Sequence, residues 1–472
     1  MIHLRAGELL QTRLKTRIPF RYGIATMTEV PHVFLRLEFD IGGTVQRGLS
    51  ADSLPPKWFT KDPSREIGEE VEEMLQVIRA AVSHAGRLRA ETPFGFWREL
   101  HRVQADWGKA NGVPSLLAGF GTSLVERALI DAFCRNEQRE FGATLRQDRF
   151  GIDLGSIHGE LAGSNPGDWL PERPQGAAVV RHTVGLSDPI EEAGIEERER
   201  VEDSLPQSLA ACIRFYGLRS FKLKINGDAD RDRERLSAIA SALTRECGGE
   251  FVFSLDGNES FREVATFADY AKALMHSVAD GSFWSRLLFI EQPWHREVAL
   301  APAIAGIGAI WPDRPPLIID ESDSELSSLP TALALGYAGT SHKNCKGVFK
   351  SVANACLLAR RRAQGRSGLL SGEDLANVGP VALLQDLAVA ASLGVSNIER
   401  NGHHYFAGLS QFRSAIREHV LAHHGDLYVQ SEAGWPRLNI VAGRLSLDSV
   451  NSAPFGYTGE IDPDGFSSER LL

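Results

Sequence analysis

The sequence predicts an α/β fold, a parallel barrel of alternating strands and helices, and three observations carry that prediction. Short apolar runs rich in β-branched and aromatic residues end in a charge followed by Gly, Pro, Ser or Asn, the pattern of strands that stop at turns. Their charges keep an even pace: 32 residues separate Lys224 from Asp256, 35 separate Asp256 from Glu291, 29 separate Glu291 from Asp320, and 23 separate Asp320 from Lys343. A (β/α)8 barrel of about 250 residues advances by roughly 30 residues per unit. Between the runs lie stretches such as DRDRERLSAIASALTREC and VFKSVANACLLARRRA, where apolar residues recur at three- and four-residue spacing, as on a helix. Such alternation implies a parallel sheet with right-handed crossovers.

Taken in order, FKLKI carries Lys222 and Lys224, FVFSLD ends at Asp256, LLFIE at Glu291, PLIID at Asp320, and GTSHK at Lys343. The C-terminal strand ends of a barrel share one face, where catalytic groups collect, so these charges converge on one pocket. A lone strand-end Asp more often caps the following helix, and Asp256 and Asp320 are both followed by turn residues that permit it. Capping leaves unexplained three carboxylates on consecutive strands, preceded by two lysines two residues apart. A period of two puts Lys222 and Lys224 on the same side of their strand.

Chemistry gives the set a reason. Three carboxylates facing a small volume repel one another and raise each other's pKa unless a cation sits among them. Oxygen-only ligands suit a hard divalent ion, and Mg2+ keeps positions open for water or substrate oxygens. A carboxylate substrate on such an ion can lose its α-proton as the metal stabilises the charge building on its oxygens. The base must be neutral, and a neighbouring ammonium together with the metal depresses a lysine pKa.

The segments FKLKIN, SLDGN, FIEQPW, IIDES and SHKNCKG, in this order and spacing, resemble the enolase superfamily in its mandelate racemase and muconate lactonizing branch. The resemblance implies a (β/α)7β-type TIM barrel with an α+β capping domain. It places the cap in residues 1–130, the barrel in 131–415, and a segment returning to pack on the cap in 416–472. It implies Mg2+, with Mn2+ as an alternative, on Asp256, Glu291 and Asp320. Lys222 would contact the substrate carboxylate and lower the pKa of Lys224, a general acid/base, with Lys343 as the second base across the substrate. PFRYGIATM resembles the loop that closes over the barrel mouth, with Tyr22, Thr26 and Met27 as readers of the substrate's distal end. Asn258 and Glu399 would be further substrate contacts, with an ion pair to Arg400 or another neighbour as the competing role for Glu399. The seventh-strand segment GLLSGED offers Glu373 and Asp374 but no histidine, which disfavours acid-sugar dehydratases built on a His-Asp dyad.

Two features depart from the family's pattern. Relatives follow the second base with Lys-x-Gly-Gly, whereas here Lys346 precedes Gly347, Val348 and Phe349, so Lys346 competes with Lys343 for the role. Residues 136–180 add Gly- and Pro-rich sequence that reads as loop, a lid or a subunit contact. His403 and His404 read as pocket-lining or plain loop residues, and no metal is assigned to them. His342 lies on the strand face opposite the lysine side.

Composition sets the remaining bounds. The length of 472 residues fits one large barrel plus a cap. A net charge of −10 leaves no basic footprint for nucleic acid. Five cysteines without CxxC spacing read as reduced thiols. The N-terminus has no apolar signal core, and Gln385 and Asp386 break the most apolar stretch, so the expectation is a cytoplasmic protein that stays off membranes. The expected partner is a small-molecule carboxylate, and the resemblance implies a homo-oligomer. The reaction read from the residues is α-proton abstraction, as a racemase, epimerase or cycloisomerase. Alternatives are a dehydratase-type lyase, a silent metal-binding scaffold, and a class I aldolase with a Schiff-base lysine.

Overall fold

The computed structural model describes residues 1–22, 24–278 and 281–472, without the side chains of Tyr22 and Ala25. The chain opens with three antiparallel strands, β1 (Ile2–Tyr22), β2 (Ala25–Ile41) and β3 (Thr44–Ser53). Along β2, Leu35, Leu37, Phe39 and Ile41 are buried while Arg36, Glu38 and Asp40 are partly exposed, the alternation of a sheet with one wet face. Its dry face packs on α1 (Ile67–Ala85), α2 (Pro93–Ala110) and α3 (Ser115–Glu137). Thr92 caps α2 by accepting a hydrogen bond from Gly95 N.

Helix α3 is buried on every side through most of its length because it lies between the cap sheet and the barrel. Ser50 Oγ on β3 donates to Leu124 O, and Gly48 lets the strand lie this close, since a Cβ there would fall 1.8 Å from Ala128 O. Toward the barrel, the Glu126 carboxylate accepts from Val348 N at 3.1 Å and Phe349 N at 2.6 Å. It thereby satisfies the first turn of the helix Val348–Ala363, whose preceding residue Gly347 has no side chain to do so.

The barrel has eight parallel strands: β4 (Ala177–Val184), β5 (Ser220–Lys224), β6 (Val252–Asp256), β7 (Leu287–Glu291), β8 (Leu317–Ile319), β9 (Gly339–His342), β10 (Leu369–Gly372) and β11 (Asn397–Arg400). Pairing of β11 with β4, from Asn397↔Val179 to Arg400↔His182, closes the ring. Each of the first seven strands is followed by an α-helix, from Leu209–Tyr216 after β4 to Val381–Ser392 after β10, and β11 by the four-residue helix Gly402–Tyr405 and then the helix Ser414–His423. Strand β4 begins inside the stretch expected to be loop; its eight residues sit directly behind the Gly- and Pro-rich run that masked them.

After β11 come the hairpin β12 (Tyr428–Gln430) and β13 (Pro436–Leu438), then β14 (Arg444–Ser446) and β15 (Ser467–Arg470). Strand β15 joins the cap sheet beside β1, whereas β14 pairs antiparallel with β4, so the C-terminal segment serves cap and barrel alike. Among the described residues no helix is long and apolar enough to cross a membrane, and all five cysteines are free and buried.

Candidate active site

Parallel register brings the strand-end charges to one rim. Lys224 stands opposite Asp256, and Asp256 opposite Glu291; Glu291 stands opposite Ile318, two residues before Asp320. Lys222 and Lys224 both point into the barrel. Lys222 Nζ lies 2.8 Å from Glu373 Oε2, 3.0 Å from Glu399 Oε2, 2.9 Å from Glu291 Oε2 and 3.2 Å from Asp256 Oδ2. Burial opposes its charge, but these four carboxylates outweigh burial and hold its pKa well above the ordinary lysine value. With the protein's own charges, then, Lys222 is fixed as an ammonium.

Lys224 Nζ meets one carboxylate, Asp256 Oδ2, at 2.7 Å. Across the barrel, Lys343 Nζ lies 2.6 Å from Asp320 Oδ2 and 4.7 Å from the centroid of the Trp58 ring, which the cap supplies. Burial lowers the Lys343 pKa, and Asp320 more than reverses this, so the net shift is upward. Lys346 sits deeper: its Nζ donates to Asp320 Oδ1 at 3.1 Å, Asp320 O at 3.2 Å and Ser341 Oγ at 2.7 Å. Lys343 therefore faces the pocket, while Lys346 anchors Asp320 from below.

Asp256 and Asp320 stay ionised. Burial alone would raise both, but Lys222 and Lys224 bring Asp256 down to about 2, and Lys343, Lys346 and Lys222 hold Asp320 well below the usual range. Glu291 differs: burial first and then the Glu373 carboxylate push it well above the ordinary value, against the pull of Lys222. An all-oxygen donor set on three adjacent strand ends, one member of which is crowded by other carboxylates, has the chemistry of a hard divalent-cation site. In donor type Asp256, Glu291 and Asp320 suit such an ion; in this structure each carboxylate is engaged by a lysine.

One pocket is lined by Lys222, Lys224, Asp256, Asp320, Lys343, Asn258, Glu399 and Met27. Glu291 lies beneath, held by Lys222. Glu399 pairs with Lys222 and accepts from Thr183 Oγ1 at 2.6 Å; its neighbour Arg400 turns outward to Asp386 and Asp374. Thr26 does not reach the pocket. Strand alternation in the hairpin, where Phe20 pairs with Met27 and Arg21 with Thr26, points Met27 inward and leaves Thr26 exposed. The Tyr22 side chain lies outside the described ones.

Sequence reasoning missed several groups. Glu321 lines the pocket, its carboxyl pushed up to about 7 by burial and then by Asp320 and Glu259; its place directly after Asp320 was a usable signal. Phe20 and Trp58 form part of the cap-side wall, and nothing around Trp58 in LPPKWF marks it. Arg181, on β4, donates to Gly372 O at 2.9 Å and forms an ion pair with Glu373 in the barrel interior, so Glu373 is part of a buried charge network. His342 is packed, with Nδ1 2.9 Å from Ser351 Oγ. His403 and His404 are buried and do not line this pocket.

No protein-family model matches the chain, and no curated protein matches it in sequence. Solved structures do match across nearly its whole length, among them mandelate racemase/muconate lactonizing proteins and a further member of the enolase superfamily. A 2-chloromuconate cycloisomerase from Rhodococcus opacus superposes with a TM-score of 0.59 at 14% identity, covering 94% of each chain. An N-succinyl Arg/Lys racemase from Bacillus cereus gives 0.56 at 17% identity, covering 95% of this chain and 97% of that one. An enolase from Bradyrhizobium, solved with magnesium and mandelic acid, gives 0.57 at 13% identity, covering 94% and 93%. At these identities the likeness is one of fold.

Proposed function

We propose that this protein is an enzyme of the enolase superfamily that removes the proton α to a substrate carboxylate with one lysine and employs a second lysine on the opposite side of the substrate. The observation that carries the reading is the opposition of Lys224 and Lys343. Strands β5 and β9 stand four apart in a closed ring of eight, and Asp256, Glu291 and Asp320 stand at or just past the ends of the strands between them. Lys222 fixes positive charge at the pocket floor, where a substrate carboxylate would lie. Lys224, with a single carboxylate partner, is placed to take the α-proton. Lys343, held as an ammonium by Asp320, is placed to deliver one to the other face. A divalent ion on Asp256, Glu291 and Asp320, magnesium or alternatively manganese, would supply positive charge opposite the oxygens on which negative charge builds.

Two opposed lysines suit racemisation or epimerisation, and one of them suffices for cycloisomerisation. Dehydration of acid sugars is disfavoured because β10 is followed by Glu373, engaged by Arg181 and Lys222, where a His-Asp dyad would need histidine. Phe20, Met27, Pro55 and Trp58 make the cap side of the pocket largely apolar, which favours N-acylamino acids, dipeptides and muconate-like diacids over polyhydroxy acids.

The test is exchange of α-hydrogen for solvent deuterium over a panel of these carboxylates with Mg2+, read by mass spectrometry. Exchange that disappears in Lys224→Ala or Lys343→Ala supports the assignment. Full exchange in both variants refutes it, and Mg2+ binding without exchange across the panel points to a silent metal-binding barrel.

A further inference from the structure

A second cluster of ligating side chains lies on the outer wall of the barrel, separate from the mouth. Along β4, Arg181 and Thr183 point inward, so His182 points out. There it meets Cys212, on the helix Leu209–Tyr216, and His404, on the short helix after β11. All three are buried, and one ligand atom from each lies within 4.8 Å of the others. We propose that His182, Cys212 and His404 bind a thiophilic transition-metal ion, zinc in the first place, which buckles the seam where β4 closes the ring against β11.

Distances within the cluster match that chemistry. Cys212 Sγ lies 3.6 Å from His404 Nδ1. A tetrahedral zinc with bonds of about 2.3 Å to sulfur and about 2.0 Å to nitrogen sets two such atoms about 3.6 Å apart. One of the two histidines also has its other ring nitrogen within hydrogen-bond reach of a polar partner, the arrangement that orients metal-ligating imidazoles. His182 Nδ1 lies 3.0 Å from His403 Nε2, which leaves Nε2 of His182 for the metal. His404 Nε2 lies 3.9 Å from Asp188 Oδ2, and Asp188 is held by Tyr405 Oη at 2.6 Å and Gly185 N at 2.7 Å. A thiolate from Cys212 and the Asp188 carboxylate would balance the two charges of the ion, the thiol proton leaving on binding. Three protein ligands leave a fourth position for water. The nitrogen and sulfur donors select against the hard ions that suit the all-oxygen mouth, so the two sites would load independently. The alternative for the same geometry is an S–H···N hydrogen bond in a dry histidine cluster.

Cobalt distinguishes the two. The full chain, expressed in cobalt-supplemented medium and dialysed, should retain about one ion per chain outside the mouth and show a thiolate-to-cobalt charge-transfer band in the near ultraviolet. The band should vanish in Cys212→Ser and persist in Cys345→Ser and Asp320→Asn. X-ray absorption on zinc-loaded wild type, which depends on no variant's folding, should count one sulfur and two imidazole nitrogens. Absence of the band in wild type, its survival in Cys212→Ser, or an all-oxygen zinc shell would overturn the proposal.

Discussion

The barrel mouth and the outer seam of the same barrel gather reactive side chains by different routes. At the mouth, each charged group stands at or just past a strand end, one structural repeat after the last, and each lysine finds a carboxylate within 2.6 to 3.2 Å. At the seam, His182 and His403 are 221 residues apart in sequence and meet because β11 pairs with β4. Burial dominates there: it pushes the Cys212 thiol up and holds His403 and His404 well below the ordinary histidine value. The mouth is therefore lined by paired charges and open to a ligand, whereas the seam is closed off from solvent. The difference teaches that a barrel creates sites in two ways, by repetition and by closure, and that only the first leaves a period in the sequence.

The largest effects should come from breaking the mouth. Lys224→Ala and Lys343→Ala should each lower the exchange rate by about 10²- to 10⁴-fold, the usual worth of a positioned acid or base. Lys346→Met tests the assignment of the second base: it removes an anchor of Asp320 without removing a pocket-facing ammonium, so its loss should be smaller than that of Lys343→Ala under saturating Mg2+. A larger loss in Lys346→Met would reverse the two roles. Trp58→Leu should follow, with a loss of about 10-fold, since a cation resting on an aromatic face gains about 0.5–2 kcal/mol. The loss should be visible in the rate at saturating substrate.

Legibility followed the same division. The strand-end charges could be read because their residue types recur at the pace of one strand plus one helix, and the lysine pair because a period of two fixes one side. The closed ring and the capping sheet followed from those segments by resemblance. Strand β4 went unread because it carries no strand-end charge of that series. Trp58 reaches Lys343 through the docking of the cap, and no local pattern encodes that meeting. Thr26 was misplaced because the flanks of PFRYGIATM continue as paired strand as far as Tyr22↔Ala25, where alternate residues face away. His403 and His404 looked like loop polarity because their partners, His182 and Cys212, lie about 190 to 220 residues away.

Tyr405 joins the two regions and so tests their independence. Its ring stacks on Phe20 of the pocket wall at 3.9 Å between centroids, and its hydroxyl donates to Asp188 beside the seam. Tyr405→Phe keeps the stacking and removes the hydroxyl, which leaves Asp188 short of a buried donor. Stability should fall by about 1–3 kcal/mol, measured by urea unfolding, while the exchange rate of the folded protein stays within about 2-fold. A parallel collapse of exchange would mean that mouth and seam act as one unit.

The smallest expected effect lies in the cap and isolates what burial alone does to a histidine. His32, on β2, is fully buried with its Nδ1 3.2 Å from Ser53 Oγ, and burial lowers its pKa to about 3. Unfolding returns that group to about 6.5. Its contribution to stability is thus complete above pH 6.5 and declines as the pH falls toward 3, because the unfolded chain takes up the proton first. The slope is at most about 1.4 kcal/mol per pH unit. His32→Asn removes the titration and keeps a polar group near Ser53. Between pH 7 and pH 5 the unfolding free energy of the variant should fall less steeply than that of the wild type, by up to that slope. Parallel curves would show that His32 is protonated without opening the sheet, and that burial in this cap is looser than the packing of β2 on α3 implies.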